Sequence, residues 1–299
     1  MLVRLLKDFF QACRSQTVLS GRPASGRVVP AMLKAALVIY AVGAAAMSLS
    51  GPYGVAIAPL LCLVAIAGVL QPSWRTLLPL ALWALGSAVA RMVTGETGYA
   101  SLAIVSQAAR WLLPIALMFV LADCEQAAAR TLRFGAALTF TGHGIQALGL
   151  HPLFLDYLFA ADARIFGAGL TMIEAKRLLI AIGAVDLLLS LMIFSRAWRF
   201  AALYMTGWAL LTAQARIVHG GLAAWPEFAI RIPNAAVPLA LFVLLVVKQS
   251  RRSTDRLIPS RFEPFAESQQ SSGPACVHAI TNRYESSVPA MPRRFGKSP

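Results

Sequence analysis

Charge is what this sequence has least of. Only 13% of its 299 residues are Asp, Glu, Lys or Arg, while 58% are hydrophobic. A soluble domain carries about 25% charged residues, so the composition excludes an ordinary water-facing globule. A mean hydropathy of +0.66 also excludes wholesale disorder, which needs low hydrophobicity and high charge. Acids are scarcer than bases, 13 against 27, for a net charge of +14. The four cysteines, Cys13, Cys62, Cys124 and Cys276, form no CxxC spacing. That excludes thiol-exchange and zinc-finger motifs and argues against a disulfide framework. No P-loop, GxGxxG, HExxH or GxSxG occurs, and the basic charge comes with no nucleic-acid-binding motif.

Long apolar runs are abundant. A helix needs about 20 residues to cross the hydrocarbon core, and the sequence reads as an all-α, polytopic transmembrane bundle. The expected spans, about eight by that measure, are 31–50, 53–70, 74–91, 101–122, 131–150, 174–194, 197–217 and 233–247. They group as a four-span half, 31–122, and a second four-span half, 131–247. Ser50-Gly51-Pro52 and Gln71-Pro72 mark breaks between spans, and the connections 151–173 and 218–232 fit interfacial or re-entrant helices. No internal repeat is evident.

The basic residues concentrate at the ends. Residues 1–30 carry five bases and one acid, and residues 248–299 carry nine and four, so the termini hold +4 and +5 of the total. No cleavable signal peptide is read here. Leu2, Leu5, Leu6, Phe9 and Phe10 share one helical face, as an interfacial helix would. The tail has nine serines and six prolines and reads as disordered. Basic termini favour the cytoplasmic side, in contact with anionic lipids. Both ends inside, an even number of crossings and a bacterial inner membrane follow as the expectation. A membrane-complex partner or a second copy of the chain is compatible with it; nucleic acid is not.

Charged residues at membrane depth are costly, about 2.5–3.5 kcal/mol each on insertion scales, and usually face a bundle interior or a wet cavity. The candidate intramembrane polar site is Gln107, Arg110, His143, Gln146 and Asp186. Arg110 and Asp186 have opposite charge at similar depth, and the expectation is that they pair. A candidate outer vestibule collects Glu174, Arg216, Glu227, Arg231 and Asn234. Two readings stay open: polar clamps that fix packing, or a cavity for a small polar solute. His143 stands between Gly142 and Gly144, which removes bulk where a backbone or ligand could approach. It could relay a proton, bind a metal or haem, or sit as a core histidine bonded to Asp186, Gln107 or a carbonyl. Haem lacks a second histidine at that depth, and no other metal ligands cluster, so no metal site is assigned.

The segments TLRFGAALTFTGHGIQAL, HPLFLDYL, IGAVDLLLSLMIF, YMTGWALLTAQAR and AWPEFAIRIPNAAVPLAL resemble the DoxX-like group of small bacterial membrane proteins. The resemblance covers residues 131–247 and implies a four-helix bundle there. Some relatives are linked with quinone-dependent sulfur oxidation, so it implies quinone as a cofactor and a structural or accessory membrane subunit, redox-linked through His143. It assigns no catalytic residue. The alternative from the residues themselves is a small-solute transporter using the intramembrane polar cavity.

Overall fold

The computed structural model describes residues 25–51, 53–95, 99–195 and 198–257. The expected interfacial helix of the N-terminal arm and the expected disordered tail lie outside these residues, apart from the first part of the tail. The chain divides into two compact units, Met1–Thr254 and Asp255–Pro299. The account below concerns the first.

Among the described residues every regular element is helical. In chain order they are α1 (Ser25–Ser48), α2 (Gly54–Leu70), α3 (Trp74–Thr94), α4 (Ala103–Ser106), α5 (Ala108–Leu121), α6 (Glu125–Leu148), α7 (Pro152–Ala161), α8 (Met172–Met192), α9 (Trp198–Gly220), α10 (Trp225–Ala229) and α11 (Ile232–Leu257). Short 3-10 turns precede α4 and α10, and a π turn, Asp162–Phe166, follows α7. The first helix begins at Ser25, earlier than the expected boundary at Ala31, and carries Pro30 within it. Both long connections hold short helices, α7 and α10.

Four segments are long and apolar enough to cross a membrane: Val28–Ser48, Trp74–Thr94, Ala100–Leu121 and Ile232–Ser250. The four other expected spans are also helices, but they fall short for physical reasons. Helix α2 is apolar and only 17 residues long. Helices α6, α8 and α9 have the length, at 24, 21 and 23 residues. Their polar groups, among them Arg133, His143, Lys176, Arg177, Asp186 and Arg216, dilute the apolar run. By length and apolarity, four helices among the described residues are able to cross a membrane.

The helices end where chemistry stops them. Ser73, in extended backbone, opens α3 by donating its N–H to Thr76 Oγ1 at 3.0 Å. Thr171 and Glu174 form a reciprocal capping box at the start of α8, which satisfies free N–H donors there. Lys34 on α1 donates to the Val69 carbonyl in the last turn of α2 at 3.0 Å, placing a cation at a helix C-terminus. One apolar core, with Leu33, Leu37, Leu77, Leu113, Leu117, Leu132, Met205 and Leu241 fully buried, runs through α1, α3, α5, α6, α9 and α11. Cys62 is a free thiol.

Helix α6 packs against α8 on one side and against α4 and α5 on the other. Small residues set both distances. A Cβ on Gly142 would lie 2.6 Å from the Ser106 backbone, and one on Gly183 of α8 would lie 2.8 Å from the Gly144 carbonyl. Such close backbone approach is how helices gain contact where lipid offers no hydrophobic driving force. We expect Gly142→Val and Gly183→Val each to destabilise the folded chain by about 1–3 kcal/mol, the usual cost of overpacking. Thermal unfolding in a bilayer mimetic checks this; a midpoint unchanged in both variants would contradict the packing.

Candidate functional site: a buried arginine cluster at a broken helix

The segment Ala100–Leu121 is long and apolar enough to cross a membrane, but its helix is broken at Gln107. Gln107 has φ −107° and ψ 12° and separates α4 from α5. A break at this depth frees backbone groups that cannot turn to water, and side chains take them up. Thr139 of α6, itself buried, accepts from the Ala109 N–H at 2.8 Å. Trp111 donates its indole N–H to the Ile104 carbonyl at 3.1 Å. Gly142, one turn along α6 from Thr139, provides the space for the Ser106 backbone. Thr139 and Gly142 thus explain part of the sequence around His143.

Arg110 stands in the first turn of α5, 3% exposed, and folds its Nη1 back to Gln107 Oε1 at 3.1 Å. Its Nε has no hydrogen-bond partner among the described residues. Counting from Ala100 at about 1.5 Å per residue, Arg110 lies ~15 Å into the segment. His143 is half-buried on α6. Its Nδ1 meets Gln146 Oε1 at 3.2 Å, and its Nε2 faces Arg231 Nη1 at 3.3 Å. The guanidinium can only donate, so Nε2 is the acceptor, Nδ1 carries the proton and Gln146 Oε1 accepts it. Arg216 of α9, 4% exposed, donates to the Thr212 carbonyl at 2.9 Å and lies over the Tyr157 ring of α7 at 4.0 Å, a cation–π contact. His151, Tyr99 and Phe154 stack at 5.1 Å spacings, and Phe154 reaches the His143 ring at 6.1 Å. Burial, then the charges of Arg231 and Arg216, hold the His151 imidazole below its ordinary pKa.

The charges are unbalanced. Arg231 lies within electrostatic reach of Arg216, Arg110 and Arg91, and Arg110 within reach of Arg91 and Arg216. Tyr40 of α1, itself buried, lies within the same electrostatic reach of Arg110. Among the described residues the acid that Arg216 feels is Glu227, which is exposed on α10. Asn234, 5% exposed in the first turn of α11, has an unpartnered Oδ1. Arg231 meets His143, and Val237 packs over Gly135, which brackets Asn234 at the level of Thr139 and the helix break.

The two expected sets therefore meet. Gln107 joins Arg110, Gln146 joins His143, and the His143–Arg231 contact links the intramembrane set to the vestibule. Arg216 belongs to the same cationic group. Asp186 does not join it. Its side chain is 4% exposed on α8, its Oδ1 has no partner among the described residues, and it forms no ion pair with Arg110. The expected Arg110–Asp186 pair is absent because Arg110 is turned back to Gln107. Nor does His143 bond to Asp186 or Gln107. Glu174 is exposed and caps its own helix rather than entering a vestibule. Tyr157, Tyr40 and Thr139 were not singled out in the sequence; only the need of each buried arginine for a neighbour could have pointed to them. Among the described residues no three His, Cys, Asp or Glu side chains converge as a metal site. A cleft of ≈ 200 Å³ lined by Ser73, Trp74, Leu77, Met118 and Leu121 lies apart from all of these groups.

Compared with known protein families, curated proteins and solved structures, the chain matches none.

Two double-mutant cycles follow. Arg110→Gln and Asp186→Asn should be additive in unfolding free energy to within about 0.5 kcal/mol, as for groups that share no contact. His143→Leu and Arg231→Gln should couple by about 0.6–1.7 kcal/mol, the range for hydrogen bonds within membranes. Strong coupling in the first cycle and none in the second would reverse the assignment.

Proposed function

We propose that the chain is a multi-pass protein of a bacterial inner membrane, with about eight crossing helices, that conducts a small polar solute through the cationic cluster around Arg110. The observation that carries this reading is the break at Gln107. Non-helical backbone at membrane depth is tolerated where protein buries it or where it lines a cavity, and discontinuous helices are the usual binding elements of transporters. The break has an arginine in the first turn beyond it and two further arginines nearby, on the outer side in the expected orientation.

A purely structural or accessory subunit accounts for the same residues less well. Apolar side chains of similar volume would pack the bundle without desolvating three guanidinium groups. The quinone-linked reading rests on the DoxX-like resemblance. His143 already engages Gln146 and Arg231 through its two ring nitrogens, so a quinone carbonyl would have to displace one of them.

Orientation rests on the charge of the termini. The basic termini favour both ends inside, which places the α5–α6 connection in the cytoplasm. A reporter active only outside the cytoplasm, fused after Lys248, should be silent; activity there would mean an odd number of crossings or the opposite orientation.

The solute path is tested by thiol labelling in intact membranes. In a cysteine-free background, Gln107→Cys should react with a small water-soluble thiol reagent. Ala116→Cys, in the fully buried core of α5, should not. Equal protection at both positions would favour a sealed scaffold.

A further inference from the structure

The cluster has a polarity that the word solute leaves out. Arg110 and Arg216 are each more than nine-tenths buried, and Arg231 is half-buried against His143, within electrostatic reach of both. Each guanidinium is always charged and presents donors in a planar fork that matches a carboxylate or phosphoryl group. Among the described residues the hydrogen bonds of these side chains go to neutral groups: Gln107, the Thr212 carbonyl and His143. The Arg110 Nε is left without a partner. Arg110 also sits in the first turn of the 14-residue helix α5, whose positive dipole end adds to the same field. Structural arginines in a bundle are ordinarily matched by carboxylates. The buried carboxylate that the described residues offer, Asp186, stays apart with its own oxygen unpartnered.

Resting on the solute reading above, we infer that the occupant of this cluster is an oxoanion, a carboxylate or phosphoryl group, held by Arg110 and Arg231 at the broken helix with Arg216 setting the field. Arg110 Nε and the Arg231 guanidinium supply the fork donors. The unpartnered Asn234 Oδ1, at the level of the break, accepts from a hydroxyl of the ligand, such as the one on singly protonated phosphate. The same chemistry is presented by a free anion and by the monoester headgroup of an anionic lipid.

The test uses the full chain in nanodiscs. In phosphatidylcholine discs, inorganic phosphate and acetate are titrated at constant ionic strength, with thermal unfolding midpoint and radiolabelled phosphate binding as readouts. A second arm replaces part of the lipid with phosphatidic acid and adds no free anion. A saturable stabilisation in the first arm assigns a soluble anion, and one confined to the second assigns a lipid headgroup. Either supports the inference if Arg110→Gln and Arg231→Gln each weaken it about 10–100-fold, the loss expected for a charged hydrogen bond. If Arg110→Gln does not accumulate, Arg110→Lys keeps the charge and loses the fork, and Arg231→Gln carries the comparison.

No saturable effect in either arm, or an effect unchanged in the variants, would overturn the inference. So would binding that is absent in the parent chain and emerges in Glu227→Gln, since the chain's own carboxylate would then be the occupant. Labelling of Gln107→Cys without anion binding would leave the solute path standing and remove the anion. Anion binding without labelling would leave the site and remove the path.

Discussion

The arrangement depends on one close contact, the seating of α6 against the break between α4 and α5. A transmembrane helix interrupted at mid-depth survives only if its freed backbone groups find partners. Here a threonine hydroxyl on the neighbouring helix takes an N–H and an indole on the same segment reaches a carbonyl. Both depend on Gly142, because any side chain there would strike Ser106. With the break held, Arg110 lands in the first turn of a new helix rather than midway along a continuous one. It therefore points back to Gln107, not across to Asp186.

The same helix makes a second close contact two residues on, where Gly144 meets Gly183 of α8. Two residues rotate a helix by about 200°, so Gly142 and Gly144 open opposite sides and His143 is directed to a third. That direction is toward the start of α11, where Arg231 meets it. The glycines on either side of the histidine thus serve packing. What they leave to His143 is a fixed heading and a fixed tautomer, with Arg231 donating to one nitrogen and Gln146 receiving the proton of the other.

Much of this was legible in the sequence, and the part that was not has a physical reason. Apolar run length located the helices, because burial in lipid makes hydropathy a strong signal. The expense of polar atoms at depth singled out Arg110, His143, Gln107 and Gln146, which the structure joins as two pairs, Arg110 with Gln107 and His143 with Gln146. The break at Gln107 was not legible: it contains no glycine or proline, and its support comes from Thr139 and Gly142, some thirty residues away (E.g. Ala109 to Thr139). The expected Arg110–Asp186 pair failed for a related reason. Depth along the membrane follows from counting residues, but the face each helix turns to its neighbour is set by which small residues meet. Opposite charge at equal depth was therefore insufficient. Three of the expected spans, α6, α8 and α9, are less apolar because they carry the candidate polar side chains, so the same residues that suggest a site weaken the evidence that their helices cross.

Helix α6 is pinned on two opposite sides by backbone contacts too tight to slide without a clash. Interfaces between bulky, interdigitated side chains can repack by changing rotamers, but a glycine seam has no rotamers to change. Any conformational cycle in this bundle must leave α4, α5, α6 and α8 together as a stationary frame. The moving parts would be the elements joined to that frame through flexible side chains, α9 with Arg216 and α11 with Arg231 just ahead of it, whose guanidinium groups can approach or withdraw.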